Sequence, residues 1–323
     1  MKAYNLLAPR VLSVELDRSA FLSHIYSFQK EKFAPDLEAR GDFKTLVIDL
    51  REVERLTLDG ALPLVAEYHR SIVLSPNFRP TIFDGEWPEQ VRALLEELGF
   101  YQLVRAKQRV ASGSNPLAGG LRFVRFRSDE LVDPDLAEEL INDLAAAAGD
   151  APESIEAYEG LIEAIKNVRQ HAYLEEAAPP SVVTIVRRWW AAGAYDPSRQ
   201  VLQFIVYDQG YGIPATLPKR EFWEAVRAIC PVEFDDADVI VGALEHGRTR
   251  TKQHGRGNGL WTICSVVDHL PGSSVRIVSG RGEVTYAGPS DVRRKRHPNP
   301  FCGTLVQWTL RLPSGPSSAG LSA

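Results

Sequence analysis

Hydrophobic and polar positions recur along the chain with two periods, and the way those periods alternate divides it. In the N-terminal third, the short apolar runs RVLSVEL, TLVIDL, RPTIFDG and YQLVRAK read as strands. Helical patterns separate them near Arg18 to Lys30, from Asp59, and from Trp87, where Trp87, Val91, Leu94, Leu95 and Leu98 keep helical spacing up to Gly99. Strands alternating with helices predict crossover connections and a largely parallel or mixed sheet. The segment ASGSNPLAGG has no periodicity and is rich in Gly, Ser, Asn and Pro, which predicts a linker over 109–120.

Beyond it the order changes. LRFVRFR reads as a strand, and DPDLAEELINDLAAAA and PESIEAYEGLIEAIKNVRQHAY read as helices, started by Asp133 and by Pro152 after Asp150. SVVTIVRRWW and QVLQFIVYD read as a hairpin turning around GAYDPS. A stretch of mixed polarity follows, then the apolar helix in HGRGNGLWTICSVVDHL, and then strands in SVRIVSGRGEVTYAG and GTLVQWTLRLP. The tail 314–323 reads as disordered. The whole predicts an α/β chain of two domains, 1–108 and 121–313.

Composition allows this. A chain of 323 residues with 44% hydrophobic and 24% charged content can bury two cores without staples. Cys230, Cys264 and Cys302 have no paired spacing, so neither a disulfide framework nor a zinc site is indicated, and a reducing, cytoplasmic setting is expected. No run approaches the roughly 20 apolar residues of a membrane span, and MKAYNLLAPR lacks the core of a signal peptide. A net charge of -5 argues against a nucleic-acid partner, and the basic run VRRKRH (Val292 to His297) reads as a solvated loop.

Chemistry enters at LIEAIKNVRQHAY. Glu163, Asn167 and His171 recur every four residues and would form one polar ridge on a helix whose other face carries Leu161, Ile162, Ile165 and Val168. A solvated face would look the same. Two glycine clusters carry a stronger signal: Asp208-Gln-Gly210-Tyr-Gly212 after a strand, and Gly255-Arg-Gly257-Asn258-Gly259 before a helix. Glycines admit a ligand close to the backbone, and a helix start attracts phosphate, so together they point to a nucleotide. Neither is a P-loop or a dinucleotide fingerprint, and each alone could be a tight turn.

The order of these motifs, E-x-x-x-N, then D-x-G-x-G, then G-x-G-x-G, then a last strand opening with Gly303-Thr304, resembles the GHKL superfamily of ATP-binding domains. That group includes DNA gyrase, mismatch-repair ATPases, the large heat-shock chaperone and histidine kinases. EAIKNVRQHAY followed by VYDQGYGIP is most similar to its anti-sigma-factor serine kinase branch. The resemblance covers Leu121 to Pro313 and implies a two-layer α/β sandwich of the Bergerat type. It implies ATP and Mg²⁺ as cofactors, with Asn167 as the metal ligand and Glu163 as the base that orients water. It further implies Asp208 as acceptor for the adenine amino group, Gly210 and Gly212 against the base, and Gly255, Gly257, Asn258 and Gly259 around the phosphates. Thr304 would support the adenine, and Arg248, Lys252 and Arg256 lie near the phosphate loop; His171 is expected to be structural. The stretch from Pro218 to Val241 departs from the branch's pattern.

In the first domain, TLVIDLREVERLTLDGALPL resembles the strand-loop-helix of STAS and anti-sigma-antagonist domains. The acceptor serine of their D-S-S-G loop falls here on Asp59, which would also serve as a helix N-cap. This implies a domain that is not a substrate of its own ATP site and packs against it as a built-in regulator. The expected function is an intracellular Mg-ATP-binding regulatory protein that switches this domain or a protein partner, with homodimer formation open. Two alternatives stand beside it: an anti-sigma-type serine/threonine kinase acting on a separate protein, and a nucleotide-binding module without turnover.

Overall fold

The computed structural model describes residues 3–33, 45–74, 81–108, 120–130, 134–148, 154–174, 186–250 and 259–312. The linker reading, apart from Gly120, and the tail reading lie outside these. The chain is mixed α/β. In its N-terminal segment, β1 (Ala3–Leu7), β3 (Thr45–Asp49) and β5 (Thr81–Ile82) form a parallel sheet in the order β1-β3-β5. A second parallel pair joins β2 (Val11–Leu12) to β4 (Arg55–Leu56). Helices α1 (Arg18–Phe33), α2 (Leu58–Leu74), α3 (Glu89–Glu97) and α4 (Phe100–Leu103) complete it. β1 has no alternating pattern and was not expected. YQLVRAK forms no strand where one was expected: Tyr101–Leu103 belong to a single helical turn, Phe100–Leu103, that follows Gly99 directly and buries Phe100 and Tyr101, and the chain beyond it is turn and loop.

The C-terminal segment is built on a five-stranded antiparallel sheet in the order β6-β7-β8-β10-β9, comprising β6 (Arg122–Asp129), β7 (Trp189–Asp196), β8 (Val201–Asp208), β9 (Ser274–Tyr286) and β10 (Val292–Arg311). The β7–β8 hairpin forms, but its first strand lies further along than expected. GAYD belongs to the strand, and the turn is Pro197–Gln200, closed by Asp196 accepting from the Ser198 and Arg199 amides at 2.9 and 3.2 Å. The run VRRKRH is likewise strand rather than loop: Arg293 to Arg296 pair with Thr285 to Gly282 of β9. One face of the sheet is covered by α5 (Pro134–Ala148), α6 (Ser154–Asn167), α9 (Asp236–Arg250) and α10 (Gly259–Ser265). The short helices α7 (Ile213–Thr216) and α8 (Trp223–Ile229) lie in the stretch after β8. Among the described residues no helix is long and apolar enough to cross a membrane.

The opposite face of the sheet is covered by the N-terminal segment. Tyr68, Leu62 and Val65 of α2 and Phe28 of α1 share one hydrophobic cluster with Trp190, Ile205, Tyr207, Phe301 and Leu305 of the sheet. Polar contacts cross the same junction. The Trp190 indole N–H donates to His69 Nδ1 at 3.1 Å, and burial lowers the His69 pKa to about 4, which keeps that nitrogen available as an acceptor. Arg276 of β9 donates to Asp59 at 3.0 Å and to Glu283 at 3.1 Å, and Glu283 also contacts His297 at 2.8 Å. Burial disfavours the Glu283 carboxylate, but Arg276 and His297 hold its pKa below the usual value.

Asp59 does not cap α2. It lies inside the first turn, 2% exposed, and accepts from Ser13 Oγ at 3.1 Å, from the Glu15 amide at 2.8 Å and from Thr57 Oγ1. The loop after β2, the start of α2 and the far sheet thus meet on one carboxylate. Removing one member of a buried ion pair leaves the other uncompensated, at about 3–5 kcal/mol. Arg276→Met should therefore lower stability by about 3 kcal/mol in urea denaturation. Adding Asp59→Asn should recover part of that loss, since it removes the stranded charge.

Candidate functional site

A cavity of about 560 Å³ opens between α6, the stretch after β8, α10 and the sheet. Its lining brings together Glu163, Asn167, Asp208, Gly212, Gly259 and Thr304, which four separate stretches of sequence supply. Gly210 stands just behind it, packed so tightly on the Ala172 carbonyl that no Cβ would fit. Gly255, Gly257 and Asn258, with Lys252 and Arg256, lie outside the described residues. Arg248 does not line the cavity; it pairs with Glu245 on α9, with Nε at 2.9 Å.

The helix α6 delivers the ridge. Leu161, Ala164, Ile165 and Val168 are buried against the sheet, so Glu163 and Asn167 turn along the cavity wall. The helix ends at Asn167 and widens into a π-helical turn, Val168–Ala172, of the kind often found at functional sites. That turn frees the Ala172 carbonyl to accept from the Tyr211 amide at 2.8 Å, which ties the ridge to the first glycine cluster. His171 still lines the cavity, but its Nδ1 meets the Arg220 guanidinium, which also donates to the Gln170 carbonyl at 2.8 Å. Burial first, and then the Arg220 charge, lower its pKa.

The sheet delivers the inner end. Asp208, Thr304 and Ser279 are direct cross-strand neighbours on β8, β10 and β9, so their side chains share one face. The register that aligns them depends on a β-bulge at Phe301 to Thr304, where Gly303 has φ +85° and a Cβ would collide with the Asp208 carbonyl. Gly212 is the counterpart on the other side, with φ +84° and a Cβ position 2.8 Å from Ser279 Oγ. Ser279 Oγ accepts from the Ile213 amide at 2.9 Å and lies 3.0 Å from Thr304 Oγ1. Sequence reasoning missed Ser279 and Gln209, which hold the turn after β8, and Arg220 and Phe222, which line the cavity. Only Gln209 had a signal, its place inside D-Q-G.

Asp208 is 4% exposed. Burial pushes its pKa up to about 7, against the opposing help of the Gly210 amide, which donates to Oδ1 at 2.7 Å, and of the Thr304 amide. Val206, Ile213, Leu217, Ile263 and Val306 line the cavity near it, so a flat, partly apolar group with one outward hydrogen-bond donor would be matched there. At the other end Gly259 opens α10 beside the ridge; a Cβ on it would lie 2.5 Å from Glu163 Oε1. Among the described residues no group of three or more His, Cys, Asp or Glu could hold a metal ion. No family model, curated protein or solved structure matches this chain.

Because Asp208 carries a higher pKa folded than unfolded, its protonated form stabilises the fold and that contribution is present below about pH 4. It is lost as pH rises through about 7. Asp208→Asn cannot ionise, so its stability relative to wild type should rise between those limits, by on the order of 1 kcal/mol or more, and level off above them. Parallel denaturation curves from pH 4 to pH 8 measure the difference.

Proposed function

We propose that the cavity binds Mg-ATP or Mg-ADP and that the chain is a nucleotide-dependent regulatory protein of the GHKL type. The observation that carries this reading is the convergence of Glu163, Asn167, Asp208, Gly212, Gly259 and Thr304, distant in sequence, on one cavity. The volume is in the range of small-molecule sites. Asp208 and Thr304 form a buried polar end with apolar walls beside it, as an adenine with its amino group would need. Asn167 lies on the wall that ends at Gly259, where a hard cation would take one amide ligand and fill its shell from phosphates and water. The bound cation would supply charge neutralisation at the phosphates. Glu163, 29% exposed on the same wall, is the group that would orient a water. The antiparallel five-stranded sheet with helices on one face supports the two-layer Bergerat reading, and the parallel strands around α1 and α2 support the STAS-like one.

Turnover by hydrolysis is favoured over transfer to the N-terminal segment. Asp59, at the acceptor position of the resemblance, is buried in its contacts with Ser13, Glu15, Thr57 and Arg276. Intact mass after prolonged incubation with Mg-ATP should show no added phosphate.

Calorimetry with Mg-ATP and Mg-ADP tests the site. A hydrogen bond to a charged group is worth about 1.5–3 kcal/mol, so above the Asp208 pKa of about 7 Asp208→Ala should weaken affinity by about tenfold to a hundredfold. Glu163→Ala should keep affinity within a few-fold while phosphate release falls by roughly 10². Unchanged affinity in Asp208→Ala would remove the adenine assignment, and equal turnover in Glu163→Ala would favour a binding module without chemistry.

A further inference from the structure

Helix α2 buries an ion pair beside the turn that follows β8. Glu67 and Arg70 are each 1% exposed and form an ion pair. Two well-packed apolar residues would serve the core as well or better, since desolvating both charges costs several kcal/mol. Glu67 is held by more than its pair. Its Oε1 accepts from the Gln29 amide of α1 at 3.0 Å and from the Gln209 amide at 2.9 Å, while Arg70 donates to Oε2.

Gln209 is the residue between Asp208 and Gly210. Along β8, Phe204, Val206 and Asp208 face the helical layer, and Ile205 and Tyr207 face the N-terminal segment; Gln209 continues that second series, 0% exposed. Its backbone amide donates to the Tyr173 hydroxyl at 3.3 Å, and the next amide, Gly210, donates to Asp208 Oδ1. The turn that aims the Asp208 carboxylate is thus pinned through its middle residue, on one side by the segment after α6 and on the other by a carboxylate from the N-terminal segment.

We infer that Glu67 is a positioning residue for base recognition: through Gln209 it sets the Asp208–Gly210 turn, which makes the N-terminal segment part of the nucleotide site. The inference rests on the nucleotide reading of the cavity. It predicts that loss of the Glu67–Gln209 bond blurs the choice of base and leaves phosphate binding alone. A purely structural role for Glu67 would lower stability without changing that choice.

The test compares Mg-ADP, Mg-GDP and magnesium tripolyphosphate by calorimetry on the full chain, in wild type, Glu67→Met, Gln209→Met and the double variant. Gln209→Met keeps the Glu67–Arg70 pair and so remains informative if Glu67→Met does not fold. Each single variant should reduce the preference for Mg-ADP over Mg-GDP by about tenfold, with tripolyphosphate affinity unchanged and the double variant no worse than the singles. A preference within twofold of wild type in folded Gln209→Met overturns the inference and leaves the nucleotide reading standing. Additive losses in the double variant also overturn it. A wild type that binds neither nucleotide overturns both, and the wild-type measurement alone shows this.

Discussion

Strand β8 has no solvent face, and the rest of the structure depends on that. Side chains alternate along a strand, so every second residue of VLQFIVYD belongs to a different core. Phe204 and Val206 close the layer under α6 and α10, Phe204 stacking on Trp308 with ring centroids 4.3 Å apart. Ile205 and Tyr207 close the layer over α2. Antiparallel sheets commonly leave one face to water, and such a strand shows polar alternation. This one reads as a nearly continuous apolar run because a second body of chain covers it.

Two buried charge clusters stand at that junction, Asp59–Arg276–Glu283 at one place and Glu67–Arg70 at another. Neither is a strong source of stability, because desolvation cancels most of the attraction. Their contribution is selectivity of arrangement. An apolar interface can slide, whereas a buried Arg276 that must meet both Asp59 and Glu283 admits one docking position. Arg18 reinforces it, donating to the carbonyls of Gly280 at 2.7 Å and Asn299 at 3.3 Å across the same seam.

Much of this was legible in the sequence. The helices expected near Arg18, from Asp59 and from Trp87 form as Arg18–Phe33, Leu58–Leu74 and Glu89–Glu97, and TLVIDL and QVLQFIVYD form strands, whereas RVLSVEL and RPTIFDG are strand only over Val11–Leu12 and Thr81–Ile82. Glu163, Asn167, Asp208 and Gly212 were singled out by helical spacing and glycine placement, which are local signals, and the fold brings them to one cavity. What failed was decided by tertiary contacts. β1 is a strand only because β3 pairs with it, and VRRKRH is extended only because β9 runs alongside. Asp59 looked like a cap because helix starts favour aspartate, yet its partners Ser13 and Arg276 are 46 and 217 residues away. Ser279 had no signature because its role depends on register across strands, and Gln209 was passed over inside D-Q-G because its partner Glu67 lies 142 residues away. His171 was placed on the ridge by ideal helical spacing, which the π-helical turn interrupts.

The distance between Asp59 and its partner also bears on how the chain is made. The 217 residues separating them take about 10 to 40 s to synthesise at roughly 5 to 20 residues per second. For the first part of that interval α2 is made while the sheet that Tyr68 and Glu67 pack on does not yet exist. The nascent N-terminal segment therefore presents an apolar surface with embedded charges. Its final packing waits for β10, which pairs with β8 on one side and β9 on the other, so neither face of the sheet is complete without it.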